Sequence, residues 1–207
     1  MNTNVIDFDD AGLAFALAQL QQGQILCFPT DTVYGIGGSA LDEVAIAQVF
    51  QAKARPAAVA LPALLADLAD LPKVARDIPD LAWGLAEAWW PGGLTLVLSA
   101  VAHLPKLLTG GKATIAVRVP NHGQLRNLIR QFATPIAGTS ANLHGQPTPN
   151  TAQAVAEQLA GRVPLVLDGG VATGEQPSTI VDLSSEQPTI LRQGVISAAQ
   201  LSPWLEA

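Results

Sequence analysis

The spacing of apolar and polar residues predicts alternating helices and strands along most of the chain. Leu13, Leu17 and Leu20 recur at helical spacing after Asp9 or Asp10, and Gly23 follows, which predicts a capped helix ending near Gln22. Further helices are predicted over 42–51, 80–89, 122–132, 151–160 and 197–205. Strands are predicted over 25–28, 94–99, 114–119, 135–137, 165–167, 179–183 and 189–192. Residues 59–65 fit either a strand or a helix.

These elements intermix without a strict alternation, which indicates an α/β or α+β fold with a twisted mixed β-sheet flanked by helices. A chain of 207 residues is long enough to bury one hydrophobic core. Neither an internal repeat nor a low-complexity linker is visible. The sequence therefore predicts a single domain over residues 1–207.

Composition narrows the class of protein. Apolar residues make up 49% of the chain and charged residues 14%, which argues against disorder, and the single Cys27 cannot form an internal disulfide. Acidic residues precede the first helix, which is the wrong charge for a secretory signal. The most apolar run, residues 57–71, is interrupted by a proline and two aspartates and is too short to cross a bilayer. We expect a cytoplasmic protein without a membrane partner.

The distribution of charge points to a small anionic ligand. The formal net charge is −6, from 11 basic and 17 acidic residues, so a broad face that follows a nucleic-acid backbone is not expected. Five basic residues nevertheless stand at helix ends, in strands or beside glycine turns: Lys53, Arg55, Lys112, Arg118 and Arg192. If these side chains converge, they form a local pocket for a small polyanion.

Two segments carry an unusual density of hydroxyls, amides and glycines. The first runs from Phe28 to Gly37 (FPTDTVYGIG) and the second from Gly138 to Pro149 (GTSANLHGQPTP). Glycines let a backbone approach a ligand closely, and loops at strand ends concentrate functional groups. We expect the two segments to form opposite walls of one cleft.

Several candidate residues admit two interpretations. Lys53 and Arg55 follow a helix, where they form either a solvated helix end or an anion clamp. Arg118 lies in a strand that places Thr114 on the same face, so it needs either a structural salt bridge or a ligand. Ser140 and Asn142 suit either a turn or a nucleotide contact. The three histidines lack metal-ligand spacing, and no metal site is predicted.

Seven separated blocks, in order, make the chain similar to the YrdC family, the threonylcarbamoyl-AMP synthases of tRNA modification. The blocks are FPTDTVYGIG, KARP, WWPGGLTLVL, TIAVRVP, GTSANLHGQPTP, STIVDL and ILRQG, between about Gly23 and Gly194. The resemblance implies a YrdC-like fold around a large, positively charged cavity. It also implies a reaction in which L-threonine, bicarbonate and ATP give threonylcarbamoyl-AMP and pyrophosphate. A downstream tRNA threonylcarbamoyl-transferase complex, a weak tRNA contact and magnesium accompanying ATP are implied as partners and cofactor.

The resemblance also implies roles for particular residues. It places a catalytic pair at Lys53 and Arg55, which form the family's tetrad with Ser140 and Asn142. Threonine-binding positions fall on Thr30, Thr32, Arg118, Ser140 and Ser178. ATP-binding positions fall on Arg55, Thr114, Asn142, Asn150 and Arg192.

Some positions depart from the family pattern. Val59 and Leu64 stand where many relatives carry an Asn and a His that contact ATP and threonine, and Asn150 replaces a more usual Thr. The segment after Pro56 is rich in Ala, Leu and Asp and is also compatible with a helix. These changes leave open a YrdC-fold paralogue that acts as an RNA-binding or RNA-processing module. The carbamoyl-transfer module of hydrogenase maturation is set aside, because that protein embeds the domain among cysteine-rich fingers and this chain has a single cysteine.

Overall fold

The computed structural model describes residues 2–56, 59–172, 174 and 176–205, and within them the strands join into one ten-stranded mixed sheet. The strands are β1 (Asn4–Asp7), β2 (Leu26–Phe28), β3 (Gly35–Ser39), β4 (Ala63–Leu64), β5 (Leu94–Ser99), β6 (Thr114–Arg118), β7 (Ile136–Ser140), β8 (Leu165–Asp168), β9 (Thr179–Asp182) and β10 (Thr189–Arg192). Their order across the sheet is β1-β8-β2-β3-β7-β4-β6-β5-β9-β10. Parallel and antiparallel neighbours both occur, which confirms the predicted fold class.

Helices cover both faces of this sheet. They are α1 (Asp10–Gln21), α2 (Glu43–Lys53), α3 (Asp80–Trp89), α4 (Lys106–Thr109), α5 (Gly123–Phe132), α6 (Ala152–Gln158) and α7 (Ala198–Leu205), with a 3-10 helix at Leu68–Lys73. Along β2, Leu26 and Phe28 pack into one hydrophobic cluster with α1 and α5, while Cys27 packs into the other with α2. This alternation buries both faces of the strand, since successive side chains point to opposite sides. None of the described helices is long and apolar enough to span a membrane.

The predicted helix boundaries agree with the caps that the structure contains. Asp9 accepts a hydrogen bond from Gly12 N at 2.9 Å, and Asp42 accepts one from Val44 N at 2.8 Å. Gly23 follows α1 with a positive φ of 74°, as its role in ending that helix requires. Helix α2 continues two residues beyond its predicted end, so Lys53 is its last residue.

The segment that fitted either a strand or a helix forms the short strand β4. Its two residues pair with β6 on one side and β7 on the other, so the helical interpretation of this segment is wrong. The neighbouring strands supply hydrogen-bond partners on both sides, which local sequence preference cannot anticipate. Ala57 and Ala58, the first residues of the predicted apolar run, lie outside the described residues.

The first polar segment is a loop only as far as Tyr34, after which it becomes the buried strand β3. A Cβ on Gly35 would lie 2.7 Å from the Phe28 ring, and one on Gly37 would lie 2.4 Å from Ala137 O. These glycines therefore allow the strands to pack closely, which is a structural reason for glycine at both positions. Strand β3 pairs with β7 through Gly35 opposite Ser140. The two polar segments are thus neighbours in the sheet, and their loops leave it at the same edge.

Candidate functional site

The first group of predicted residues surrounds the ammonium of Lys53, which is 1% exposed. Its Nζ donates to the backbone oxygen of Asn142 at 2.6 Å, to Asn142 Oδ1 at 3.2 Å, and to the backbone oxygen of Ser140. All three ammonium protons are therefore used. Burial, and repulsion from Arg55, lower the pKa of Lys53 to about 8. The solvated helix end is excluded for this residue, and within the described chain it has no carboxylate partner.

The side chain of Asn142 holds this group together. Its Oδ1 accepts from Ser140 Oγ at 2.5 Å as well as from Lys53. Its Nδ2 donates to the backbone oxygens of Leu143 at 2.9 Å and Gln146 at 2.7 Å. The amide thus has no free donor in this structure. Asn142 fixes the turn that follows β7, and it could contact a nucleotide only after giving up one of these bonds.

Arg55 lies beside Lys53 and keeps unused donors. Its Nη1 donates to Thr139 Oγ1 at 3.2 Å, and its Nη2 donates to the backbone oxygen of Ala60 at 3.3 Å. Its Nε is buried and has no hydrogen-bond partner among the described residues, and burial lowers the pKa of the guanidinium. A buried donor without a partner destabilises the folded state, so a hydrogen bond to a ligand oxygen would be favourable here.

The second group surrounds Arg118, at the end of β6 and 7% exposed. Its Nε donates to the backbone oxygen of Gly92 at 2.8 Å and its Nη1 to Thr32 Oγ1 at 3.0 Å. Its Nη2 forms an ion pair with Asp31 Oδ1 at 2.7 Å. The structure therefore contains the salt bridge that was one of the two interpretations of Arg118. Asp31 was not identified as a site residue from sequence, although it stands between Thr30 and Thr32.

In the first polar segment, the hydroxyls of Thr30 and Thr32 are held in place by hydrogen bonds. Thr30 Oγ1 donates to the backbone oxygen of Val33 at 2.7 Å, so its contact of 3.1 Å with Thr32 Oγ1 is one in which Thr32 donates. Thr32 is 3% exposed, and its Oγ1 accepts the hydrogen bond from Arg118 Nη1. Tyr34, which ends the loop, accepts at its backbone oxygen from Ala141 N at 2.8 Å. Because Ala141 lies between Ser140 and Asn142, this loop joins the Arg118 group to the Lys53 group.

Arg192 and Ser178 lie next to the Arg118 group. Arg192 Nη2 donates to the backbone oxygen of Ser178 at 2.8 Å and contacts its Oγ at 3.2 Å. Ser178 is buried and shares a hydrogen bond of 2.8 Å with Thr95. Burial first, and then the positive charge of Arg118, lower the pKa of Arg192, which places the two guanidiniums within electrostatic reach of each other.

The remaining predicted residues lie further out. Thr114 begins β6, on the same face as Arg118 but about 13 Å along the strand, and at the level of Ser140 in the sheet. Asn150 is exposed, and its backbone oxygen accepts from Ala172 N at 2.8 Å. Lys112 is an exposed residue after α4 and joins neither group. His122 caps α5 through Nδ1 and stacks on Phe8, so it is a structural residue.

Comparison with known proteins gives the chain its family. The model of the Sua5/YciO/YrdC family, described as "Telomere recombination", matches residues 18–194. The chain belongs to this family. It is 41% identical to the threonylcarbamoyl-AMP synthase of Pyrococcus abyssi, across 88% of this chain and 54% of that protein. It is 36% identical to the threonylcarbamoyl-AMP synthase of Bacillus subtilis, across 96% of this chain and 58% of that protein. The chain thus spans little more than half the length of these two relatives.

Other relatives of the Sua5/YciO/YrdC family are matched along nearly their whole length. The threonylcarbamoyl-AMP synthase of Vibrio vulnificus is 36% identical across 84% of this chain and 94% of that protein. Among solved structures, P. abyssi Sua5 in complex with L-threonine superposes with a TM-score of 0.92 at 37% identity, covering 99% of this chain and 60% of that one. E. coli YciO superposes with a TM-score of 0.86 at 25% identity, covering 99% of this chain and the whole of the other. These matches support the predicted YrdC-like fold.

Proposed function

We propose that this protein is an L-threonylcarbamoyladenylate synthase. In the proposed reaction, the amine of L-threonine and bicarbonate give a carbamate, whose oxygen attacks the α-phosphorus of ATP and displaces pyrophosphate. The observation that carries the proposal is the pair of adjoining groups around Lys53 and Arg118, which joins buried cations to a row of hydroxyls. Three relatives with the name of this activity, at 36–41% identity, support it.

The electrostatics of the Lys53 group suit the nucleotide. A carbamate and a triphosphate are both anionic and repel each other, so the site must offset that repulsion with fixed positive charge. Lys53 and Arg55 are two adjacent cations without a carboxylate partner among the described residues. In the proposal Arg55 contacts the phosphates with its unused donors. Lys53 acts through its charge, because its three protons stay on backbone and amide oxygens.

The Arg118 group suits the amino acid. We place the threonine carboxylate on Arg118, next to the hydroxyl of Thr32 and near the Ser178 hydroxyl that contacts Arg192. The related P. abyssi Sua5 binds L-threonine, which supports an amino-acid site. Ser140 belongs to the Lys53 group and stays a predicted threonine contact. Thr30 keeps Thr32 in place through their shared hydrogen bond. Because no covalent enzyme intermediate is needed, the main contribution of the protein is to hold the two reactants in line.

Magnesium enters this proposal only as a companion of ATP. The described residues contain no cluster of three or more His, Cys, Asp or Glu side chains that could hold a metal ion. The side chains of the site are mainly cations and hydroxyls, which do not form a magnesium cage of their own. We propose that the ion binds to the triphosphate oxygens and water, as it commonly does with nucleotides. A downstream tRNA threonylcarbamoyl-transferase complex, with a weak contact to tRNA, is proposed as the consumer of the product in the cytoplasm.

The proposal is tested by incubating the protein with labelled bicarbonate, L-threonine and magnesium-ATP and detecting threonylcarbamoyl-AMP by mass spectrometry. The expected result is a labelled product and pyrophosphate that both require all three substrates. Omission of each substrate in turn is the control. Pyrophosphate release that does not depend on threonine, or the absence of any product, would contradict the proposal and favour the RNA-binding paralogue.

A further inference from the structure

The ion pair between Arg118 and Asp31 differs from the other ion pairs of the described chain. It is the only one of five in which both side chains are less than a fifth exposed, at 9% and 17%. Buried ion pairs contribute little to stability, because the loss of hydration offsets the attraction between the charges. A buried pair in the middle of a candidate ligand site therefore calls for a functional explanation.

Both members of the pair have hydrogen-bonding capacity left over. Arg118 has five N–H donors, and only three are used within the described residues, which leaves one donor on each Nη nitrogen. Asp31 accepts through Oδ1, and its Oδ2 has no partner in the described part of the chain. A free cationic face and a free anionic oxygen thus lie within a few ångströms of each other.

This arrangement matches one class of ligand. An α-amino acid carries a carboxylate and an ammonium on the same carbon, so its two charges are as close together as those of Arg118 and Asp31. A ligand that sets its carboxylate on the guanidinium brings its amino group to the neighbouring carboxylate. We propose that Asp31 contacts the α-amino group of the bound amino acid and that Arg118 and Asp31 together form a clamp for a zwitterion. This inference rests on the proposed function and adds a contact to it.

The contact has a consequence for the proposed chemistry. The amine must lose a proton before its lone pair attacks the carbon of bicarbonate, and the nitrogen becomes more positive as the C–N bond forms. An anionic oxygen beside that nitrogen stabilises the developing charge and holds the lone pair in one direction. The first proton goes to solvent before the attack. As the C–N bond forms, a second proton leaves the nitrogen and joins the departing hydroxyl of bicarbonate, which leaves as water. Asp31 remains a carboxylate throughout.

The test uses the Asp31→Asn variant and two ligands measured by calorimetry: L-threonine and 3-hydroxybutyrate, which keeps the carboxylate and the hydroxyl but lacks the amino group. Asn retains an acceptor for Arg118 but loses the charge. We expect threonine affinity to fall by about 10- to 100-fold, the usual effect of losing a charge-assisted hydrogen bond, while 3-hydroxybutyrate affinity changes by less than about threefold. Asp77→Asn, which makes the same change in the exposed Arg76–Asp77 pair, is the control and should alter neither affinity.

Equal weakening of both ligands would overturn the inference, because it would mean that Asp31 only orients Arg118. Unchanged threonine affinity would overturn it as well. If Asp31→Asn does not fold, Asp31→Glu is used instead, because it keeps the charge but shifts its position. A larger loss of affinity for threonine than for 3-hydroxybutyrate would again support the inference, and an equal loss would overturn it. Failure of the proposed function has a separate signature: the parent protein would bind threonine in this test but form no threonylcarbamoyl-AMP.

Discussion

The two buried cations of the site, Lys53 and Arg118, are satisfied in opposite ways. Lys53 has all its donors occupied by neutral oxygens, yet its charge has no carboxylate partner within the described residues. Arg118 has its charge balanced by Asp31, yet two of its donors are unused there. A cation with all its donors used but no carboxylate partner attracts anions through its electric field. A cation that is paired with a carboxylate but has unused donors can bind a ligand by direct hydrogen bonds. This difference is the reason why we propose that the polyanionic nucleotide binds at the Lys53 group and the zwitterionic amino acid at the Arg118 group.

Removal of the Lys53 charge should have the largest effect. Lys53→Gln keeps two amide donors for the oxygens of Ser140 and Asn142 but deletes the positive charge. We expect the rate of threonine-dependent pyrophosphate release to fall by about 100-fold, as for other losses of electrostatic stabilisation in a buried site. The thermal unfolding midpoint is measured in parallel to show that the variant folds. Activity within about threefold of the parent would mean that Lys53 is only a structural residue.

Arg118→Lys should weaken threonine binding by about 30-fold and leave nucleotide binding unchanged. Lysine keeps the charge that balances Asp31 but cannot reproduce the planar fork that reaches Gly92, Thr32 and Asp31 together. Calorimetry with L-threonine and, separately, with a non-hydrolysable ATP analogue measures both affinities. An equal loss for the two ligands would show that the groups do not have separate roles.

The pH dependence of nucleotide binding should report the ionisation of Lys53. The lowered pKa, about 8, means that the residue is charged below pH 8 and loses its proton above it. A bound polyanion favours the charged form, so affinity is greatest below pH 8 and falls as pH rises. We expect a decrease of about tenfold between pH 7 and pH 9 for the ATP analogue. Lys53→Gln should remove this dependence, and a decrease of the same size in that variant would assign the titration to another group.

Asn150→Ala should have the smallest effect, less than about twofold on the apparent ATP affinity. The residue is exposed and directly precedes Thr151, the N-cap of α6. A steady-state titration of ATP measures the effect. A tenfold loss would restore Asn150 to the nucleotide contacts that the family resemblance implies and would enlarge the Lys53 group.

The sequence predicts the elements that have strong local signals and misses those that depend on neighbours. Asp9 and Asp42 cap helices where the pattern predicts, and helix α3 has its predicted bounds. Strand β3 was missed because a run of glycines resembles a loop until the packing of Phe28 and Ala137 against it is known. Strand β1 was missed because it has only two apolar residues, Val5 and Ile6, and because its partner strand β8 lies far along the chain.

The same division applies to the site. The sequence segments that resemble the family contain five of the site residues, and these are polar or charged residues in apolar surroundings, which makes them recognisable. They are Lys53, Arg55, Arg118, Ser140 and Asn142. The use of each donor could not be predicted, since it depends on backbone oxygens from distant segments. Asp31 illustrates the limit, because an aspartate in a loop has many ordinary roles, and only its contact with Arg118 sets it apart.

The most direct test of the separate roles of the two groups is a crystal structure with L-threonine and a non-hydrolysable ATP analogue bound together. We predict that the phosphates lie against Arg55, with Lys53 still donating to Ser140 and Asn142, and that the threonine carboxylate lies on Arg118. Phosphates on Arg118, or threonine beside Lys53, would contradict the assignment that the two kinds of buried cation indicate.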